Sequence, residues 1–428
     1  MKNTCTFLFL IFALASCGQT TSVKDSPPLT EGTPSSVGIS AERLARIDKM
    51  LNESVDQGEI PGAVALVARN GKIVFFKAFG MADTESARAF KRDDIFRIAS
   101  QTKAITSTAV MMLWEEGKFR LDDPISKYIP EFKNAMVLDS LIEEDSSYIA
   151  SPANNPITIR HLITHTSGIG YGFIDNDQFR KMYQKAGIND AWTTEPMVLG
   201  ENIRNLATLP LHHNPGERFT YSEGIDVLGY LVEIVSGMPL DRFFQERIFK
   251  PLGMDDTYFY LPTSKYDRLV PVQTKQNDGW VRFTTPYYDV EYPIKGAMTY
   301  FSGGGGLCST ARDYATFLQM YLNQGELNGI RLLSRTTVQV IMANHIGDIW
   351  GSSGAHHGLA FKVIDQRGQD AGGQGSAGTF EWGGYFNTQY FADPKEQFIG
   401  ILMKQTQDAG NDQTGWRFRQ LVGQTIDD

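Results

Sequence analysis

Apolar residues return at threes and fours along "SAERLARIDKMLNESVDQG", where Leu44, Ile47, Met50 and Leu51 mark one face of a helix entered through Ser40, with Glu42 in its first turn. The pattern then changes. "GAVALVARNGKIVFFKAFG" holds two β-rich runs joined by Asn70-Gly71, the dipeptide that suits a tight hairpin. In "FRIASQTKAITSTAVMMLWEEGK" the helical spacing comes back through Ile105, Ala109, Met112 and Leu113. From Asp122 to Val290 the chain reads as helices and long polar loops, of which "IDVLGYLVEIVSG" and "LDRFFQERIFKPLG" are the clearest helices. "SGGGGLCS" leads into a further helix, "TARDYATFLQMYLNQG". The last hundred residues return to strands, "GLAFKVI", "GTFEWGGYF", "TQYFADP" and "EQFIGILMKQ", and "WRFRQLVGQTI" predicts a closing helix. This order predicts one α/β unit built from both ends of the chain, with a helical unit inserted and no internal repeat.

Composition changes that picture little. With 428 residues and 42% hydrophobic residues the chain can bury a sizeable core, and a formal charge of −9 argues against a nucleic-acid partner. The N-terminus stands apart. "MKNTCTFLFLIFALASCG" has one lysine, an apolar run from Phe7 to Ala15 and then small residues, the layout of a secretory signal. Its end, Leu14 to Cys17, resembles a bacterial lipobox, which implies cleavage before Cys17 and a lipid on its sulfur. We expect residues 1–17 to be this signal and residues 18–36, rich in Ser, Thr and Pro, to be a flexible tether. Of the three cysteines, Cys5 leaves with the signal and Cys17 carries lipid, so Cys308 is left without a disulfide partner. The expected address is an exported, membrane-anchored lipoprotein that meets the membrane only through Cys17.

The chemistry gathers at two places. Ser100 and Lys103 form the one S-x-x-K in the chain. On a helix, residues three apart share a face, with Cβ atoms about 5–6 Å apart. Near a helix start, outward N–H groups favour developing negative charge. Small neighbours (Ala99, Thr102, Ala104, Thr106) leave room for a substrate to approach. A hydroxyl nucleophile with an amine beside it suits covalent catalysis, provided the amine is neutral when it takes the proton. An exposed lysine on an ordinary helix fits the same spacing. In "RFTYSEGIDVLGYLVE", Tyr221 precedes a helix start and Ser222 is a good cap. A tyrosine there either shuttles a proton in a cleft or merely packs.

Taken together, the S-x-x-K helix, the Tyr-Ser pair before "DVLGYLVEIVSG", "ITIRHLITHTSGI", "GGGGLCSTARDYATFLQMYLNQG" and "FEWGGYFNTQYFADP" resemble the serine β-lactamase and penicillin-binding-protein superfamily, nearest its class C and family VIII carboxylesterase branch. The likeness runs from about Ile39 to Gln405 with the motifs in the family's order. It implies a β-lactamase-like (DD-peptidase-like) α/β fold: an antiparallel sheet flanked by helices, about 37–95 and 290–428, and an inserted all-helical domain, about 96–289, within one hydrolase domain of residues 37–428. It implies that Ser100 is acylated, that Lys103 is its base and that Tyr221 is an acid/base partner. Trp382-Gly383-Gly384 aligns with the family's third motif, so Trp382, Gly383 and Gly384 are expected to bind substrate. The Ser100 and Tyr385 N–H groups would form the oxyanion hole.

Three departures bear on substrate. Glu223 stands where the tyrosine motif has Asn and is expected at the substrate, yet an ionised carboxylate cannot donate the amide's hydrogen bond. The third motif lacks the lysine that holds a substrate carboxylate. Asn387 replaces a frequent Gly. The first two favour a small-molecule ester over a peptide-like amide or a β-lactam. A silent wall-binding protein is a third reading, opposed by the presence of Ser100, Lys103 and Tyr221 together. No cofactor and no metal are called for. His161 and His165 have metal-like spacing but belong to the "HTSG" turn, Ser302 to Gly306 lack the Lys of a phosphate loop, and His212-His213 and His356-His357 read as loop residues, one of which could line the pocket. No G-x-S-x-G is present to supply a different serine. The aromatics of "FEWGGYF", "YFYLP" and "TPYYDVEYP" read mainly as core, some of them able to line an apolar pocket.

Overall fold

The computed structural model describes residues 26–142, 147–277, 279–351, 354–373 and 375–428. Cys5, Cys17 and the proposed signal lie outside the described residues. A nine-stranded sheet carries the fold. Its strands are β1 (Thr30–Glu31), β2 (Gly62–Arg69), β3 (Lys72–Asp83), β4 (Arg88–Ala89), β5 (Ala355–His357), β6 (Lys362–Ile364), β7 (Phe380–Gly384), β8 (Thr388–Asp393) and β9 (Phe398–Met403). They lie in the order β1-β3-β2-β9-β8-β7-β6-β5, with β4 paired to β3. Both ends of the chain therefore build it, as the sequence order implies. All pairings are antiparallel except β1 on β3, so the sheet is mixed.

The β2–β3 turn forms at Asn70-Gly71, both left-handed, with φ 50° and 73°. Every residue of β2 is buried, because both sheet faces are covered. Val64, Leu66 and Ala68 face the larger core, while Ala63, Ala65 and Val67 face a smaller one. The smaller core is closed by the two helices nearest the ends, α1 (Ala41–Asp56) and α6 (Thr414–Gly423). Ser40 caps α1 by accepting the Arg43 N–H. On the other face lie α2 (Thr102–Glu115), α3 (Ile159–Ile163), α4 (Gly224–Ser236) and α5 (Ala311–Leu322).

Several expectations are corrected. α2 is not a one-faced helix: Thr102 to Leu113 are all buried, so it runs through the middle of the larger core. The inserted part is not all-helical, since Met136–Ile142 pairs with Ser147–Pro152, and Gln273–Gln276 pairs with Gly279–Arg282 and with Thr406–Gln407. Nor does it have its own core, because sheet and insert share one hydrophobic cluster. The tether ends earlier than residue 36: the Asn328 and Gly329 N–H groups bind Ser26, and β1 extends the sheet. His356 and His357 lie in strand β5 rather than a loop. Cys308 is buried and free, 3.8 Å from the Tyr292 hydroxyl, and burial pushes its thiol up to about 11.

Candidate active site

The site lies where α2 begins, where α4 begins and where β7 ends. Ser100 is not on α2 itself. It occupies a single tight turn, Ala99–Gln101, ahead of the helix. Ala99 takes a left-handed backbone, φ 45°, which is costly for a residue with a Cβ and lifts the next side chain out of the strand-to-helix path. Ser100 is partly exposed while both of its neighbours are buried. Lys103 follows in the first turn of α2 and is only 5% exposed. Its Nζ donates to the Gly304 carbonyl at 2.6 Å and sits 4.9 Å from the Tyr171 ring centre and 4.7 Å from that of Tyr221.

Tyr221 precedes α4, whose cap position is Glu223. Ser222 does not cap the helix, but its Oγ accepts the Gly224 N–H within the turn. The "HTSG" segment clamps the tyrosine from both sides: the His165 carbonyl accepts the Thr220 N–H at 2.8 Å and its Nδ1 accepts the Ser222 N–H at 3.2 Å. His165 also packs on the Tyr221 ring, centres 4.7 Å apart. Burial, then the nearby His357 and Lys103, push His165 well below its ordinary range, so it stays a neutral acceptor. His161 instead accepts the Thr158 N–H in a capping box, so the two histidines serve separate turns. Tyr221 is stacked between Tyr171 and Trp382, with centres 5.7 and 6.0 Å away. Its hydroxyl is buried and has no hydrogen-bond partner among the described residues.

Trp382, Gly383 and Gly384 lie on β7. A Cβ at Gly384 would collide with the Ile98 carbonyl oxygen and with Thr388 Oγ1, so only glycine lets the strand end lie against the Ser100 turn. Tyr385 follows immediately, 36% exposed, with its carbonyl accepting from the Gln407 side chain. The turn back into β8 needs a left-handed residue, and Asn387 supplies it at φ 67°. Its amide donates to Thr406 Oγ1 at 3.0 Å and Asp412 Oδ2 at 2.8 Å, partners that a glycine there would lack.

Glu223 is a correction. It is 0% exposed and cannot contact substrate in this structure. It lies beneath the site with Asp190 and Asp226, its carboxyl set against that of Asp190. Burial, reinforced by Asp190, holds it well above the usual carboxylate range and keeps it neutral. The motif position that reads as a charge at the substrate is a buried acid under the floor.

Sequence reasoning missed Tyr171, Asp226 and Gly304. Tyr171 sits in no motif, Asp226 heads "DVLGYLVEIVSG" with no role read for it, and the glycines of Ser302 to Gly306 suggest only close packing. That packing is real, since a Cβ at Gly304 would collide with Asp226 Oδ2. Among the aromatics, Tyr385 packs with Phe173, Trp192 and Tyr288 beyond the β7 end, centres 5.3, 5.4 and 5.9 Å away. Phe259 belongs to the large core instead.

The chain is similar to known proteins along most of its length. A profile of the beta-lactamase family matches residues 47–424. Esterase EstB of Burkholderia gladioli is 31% identical over 402 residues, spanning 87% of this chain and 93% of that protein. Lovastatin esterase of Penicillium rubens is 30% identical over 380 residues, 83% of this chain and 91% of that protein. The solved structure of EstCE1, described as a hydrolase with promiscuous acyltransferase activity, is similar with a TM-score of 0.76 at 27% identity, covering 89% of this chain and 98% of that one.

Proposed function

The chain belongs to the beta-lactamase family, and from that footing we propose that it is a serine hydrolase that cleaves carboxylic esters through an acyl-enzyme on Ser100. One observation carries the reading: the buried, unpartnered Tyr221 hydroxyl sits on a ring 4.7 Å from the Lys103 amine, beside the Ser100 turn. A buried hydroxyl without a partner costs about 1–3 kcal/mol, a cost that a purely structural tyrosine has no reason to carry.

Ser100 Oγ attacks the ester carbonyl while its proton passes to Lys103 or Tyr221. The carbonyl oxygen becomes an oxyanion held by the Ser100 and Tyr385 N–H groups. The intermediate collapses, the C–O bond to the alcohol breaks, and the leaving oxygen takes a proton from Tyr221. Water, deprotonated by the same pair, then attacks the acyl-enzyme; the bond from the acyl carbon to Ser100 Oγ breaks, Oγ takes a proton back from the pair, and the acid leaves. Ester rather than amide cleavage is supported by two features: β7 offers Trp382 where a lysine would hold a substrate carboxylate, and both curated relatives described above carry esterase names. Action on a peptide-like amide or a β-lactam is the second reading.

The test uses a chain beginning after Cys17 and its Ser100→Ala variant, with p-nitrophenyl butyrate and a chromogenic cephalosporin side by side. Ester turnover lost in the variant, with little cephalosporin cleavage, supports the proposal. Fast cephalosporin cleavage moves the protein to the lactamase reading, and activity unchanged in the variant removes Ser100 from the mechanism. The lipobox-like stretch Leu14 to Cys17 supports export and lipid attachment at Cys17. Labelling of cells with an alkyne fatty acid, lost in Cys17→Ala, tests it.

A further inference from the structure

Lys103 is held by a segment whose only side chain is that of Ser302. Ser302 to Gly306 runs past α2 as nearly bare backbone, and its groups are spoken for one by one. The Gly303 carbonyl accepts Thr106 Oγ1 at 2.6 Å, the Gly304 carbonyl accepts Lys103 Nζ at 2.6 Å, and the Gly305 carbonyl accepts Trp192 Nε1 at 2.9 Å. Four consecutive glycines cannot define their own shape, because each has wide backbone freedom. Something outside the segment must fix the direction of the Gly304 carbonyl.

That something is Asp226, in the first turn of α4. Its Oδ1 accepts the Ser302 hydroxyl at 2.7 Å and the Gly304 N–H at 3.2 Å. The Ser302 Oγ in turn accepts the Gly305 N–H at 3.1 Å. One carboxylate oxygen therefore grips Ser302 and the N–H of Gly304, the residue whose carbonyl holds the lysine. Asp226 is 1% exposed, its Oδ2 has no partner among the described residues, and that oxygen occupies the space a Gly304 Cβ would need. The glycine and the aspartate fit each other.

We propose that Asp226 is a positioning residue for catalysis: through the Ser302–Gly304 turn it aims the carbonyl that holds the Lys103 amine at Ser100. The proposal rests on the Ser100 hydrolase reading and adds a residue to it. Asp226 touches neither substrate nor Ser100, so it acts on the chemical step and not on binding. The backbone bond needs an acceptor oxygen at this position, which asparagine also supplies.

The test compares Asp226→Asn, Asp226→Ala and the parent protein in p-nitrophenyl butyrate turnover, with the rate of Ser100 labelling by a fluorophosphonate as a second readout. Melting temperatures confirm that each variant is folded. The expected result is that Asp226→Ala lowers kcat about 100-fold with KM within about twofold, slows labelling in parallel, and is largely rescued in Asp226→Asn. Unchanged kcat and labelling in Asp226→Ala overturn the proposal and leave the hydrolase reading intact. So does an Asn variant as impaired as the Ala variant, or a loss that appears in KM alone. A parent protein with neither turnover nor labelling overturns the reading of Ser100 and this proposal with it. If Asp226→Ala fails to fold, Ser302→Ala removes one end of the same grip and is expected to lower kcat at constant KM. An unchanged kcat there overturns the proposal.

Discussion

The Lys103 amine lies 4.7 Å from the centre of the Tyr221 ring, with Lys103 arriving from the first turn of α2 and Tyr221 from the segment just ahead of α4. Lys103 is carried by the first turn of α2 and held by a backbone carbonyl. Tyr221 is held by a histidine turn on either side. The proposed proton-handling pair is thus fixed from several elements, while the Tyr221 hydroxyl has no hydrogen-bond partner among the described residues.

That unpaired hydroxyl separates activity from stability. Tyr221→Phe removes no hydrogen bond and keeps the ring between Tyr171 and Trp382. We expect kcat on p-nitrophenyl butyrate to fall about 100- to 1,000-fold while the melting temperature stays level or rises. A variant that melts earlier and keeps its turnover would assign the tyrosine a packing role.

The two glycines of β7 should differ. At Gly384 a Cβ collides with the Ile98 carbonyl, so Gly384→Ala must push the strand end from the Ser100 turn. At Gly383 the nearest atom to a Cβ is the Thr388 carbonyl oxygen, at 3.2 Å, and a small shift absorbs it. Steady-state kinetics on both variants should show a loss of about 100-fold or more for Gly384→Ala and less than about tenfold for Gly383→Ala.

Acid should destabilise the fold through its buried histidines. Burial holds His357 down at about 4, against an ordinary value of 6.5, and holds His165 well below the same value. Below 6.5 the unfolded chain binds protons that the folded chain refuses, so stability is full above that pH and is lost as pH falls toward 4. His357 alone accounts for about 3 kcal/mol over that window. Urea melts at pH 7 and pH 4.5 should show the loss, and His357→Gln should reduce it.

Asn387 should matter to stability more than its place in a turn suggests. Asn387→Ala keeps the left-handed φ of 67° without the bonds to Thr406 and Asp412. We expect a loss of about 1–3 kcal/mol in chemical denaturation. Asn387→Gly relieves the backbone but not the lost bonds, and should fall between Ala and the parent.

Much of this was legible in the sequence where local chemistry decides. The Asn70-Gly71 hairpin, the Ser40 cap and the end-to-end order of strands follow from turn residues, capping and periodicity. Lys103 and Tyr221 could be placed near one another only through the family resemblance. The full burial of α2 is not legible in the spacing of Ile105, Ala109, Met112 and Leu113, because Thr102, Thr106 and Thr108 interrupt the apolar pattern. In the fold each spends its hydroxyl on a buried partner, the Leu307 N–H, the Gly303 carbonyl and the Ala104 carbonyl. Glu223 was misplaced for a related reason: a carboxylate reads as a surface or cleft group, and only tertiary packing reveals that it is buried among other acids. The role proposed for Asp226 is not legible in the sequence, since it depends on a bond to Ser302, 76 residues away.

The central claim is that Ser100 carries the acyl group. The most direct measurement is intact-protein and peptide mass spectrometry after rapid acid quench of the protein mixed with p-nitrophenyl butyrate. The account predicts one butyryl group, confined to the peptide containing Ser100 and absent from Ser100→Ala. Turnover with no trapped acyl group, or a butyryl group on another residue, would contradict it.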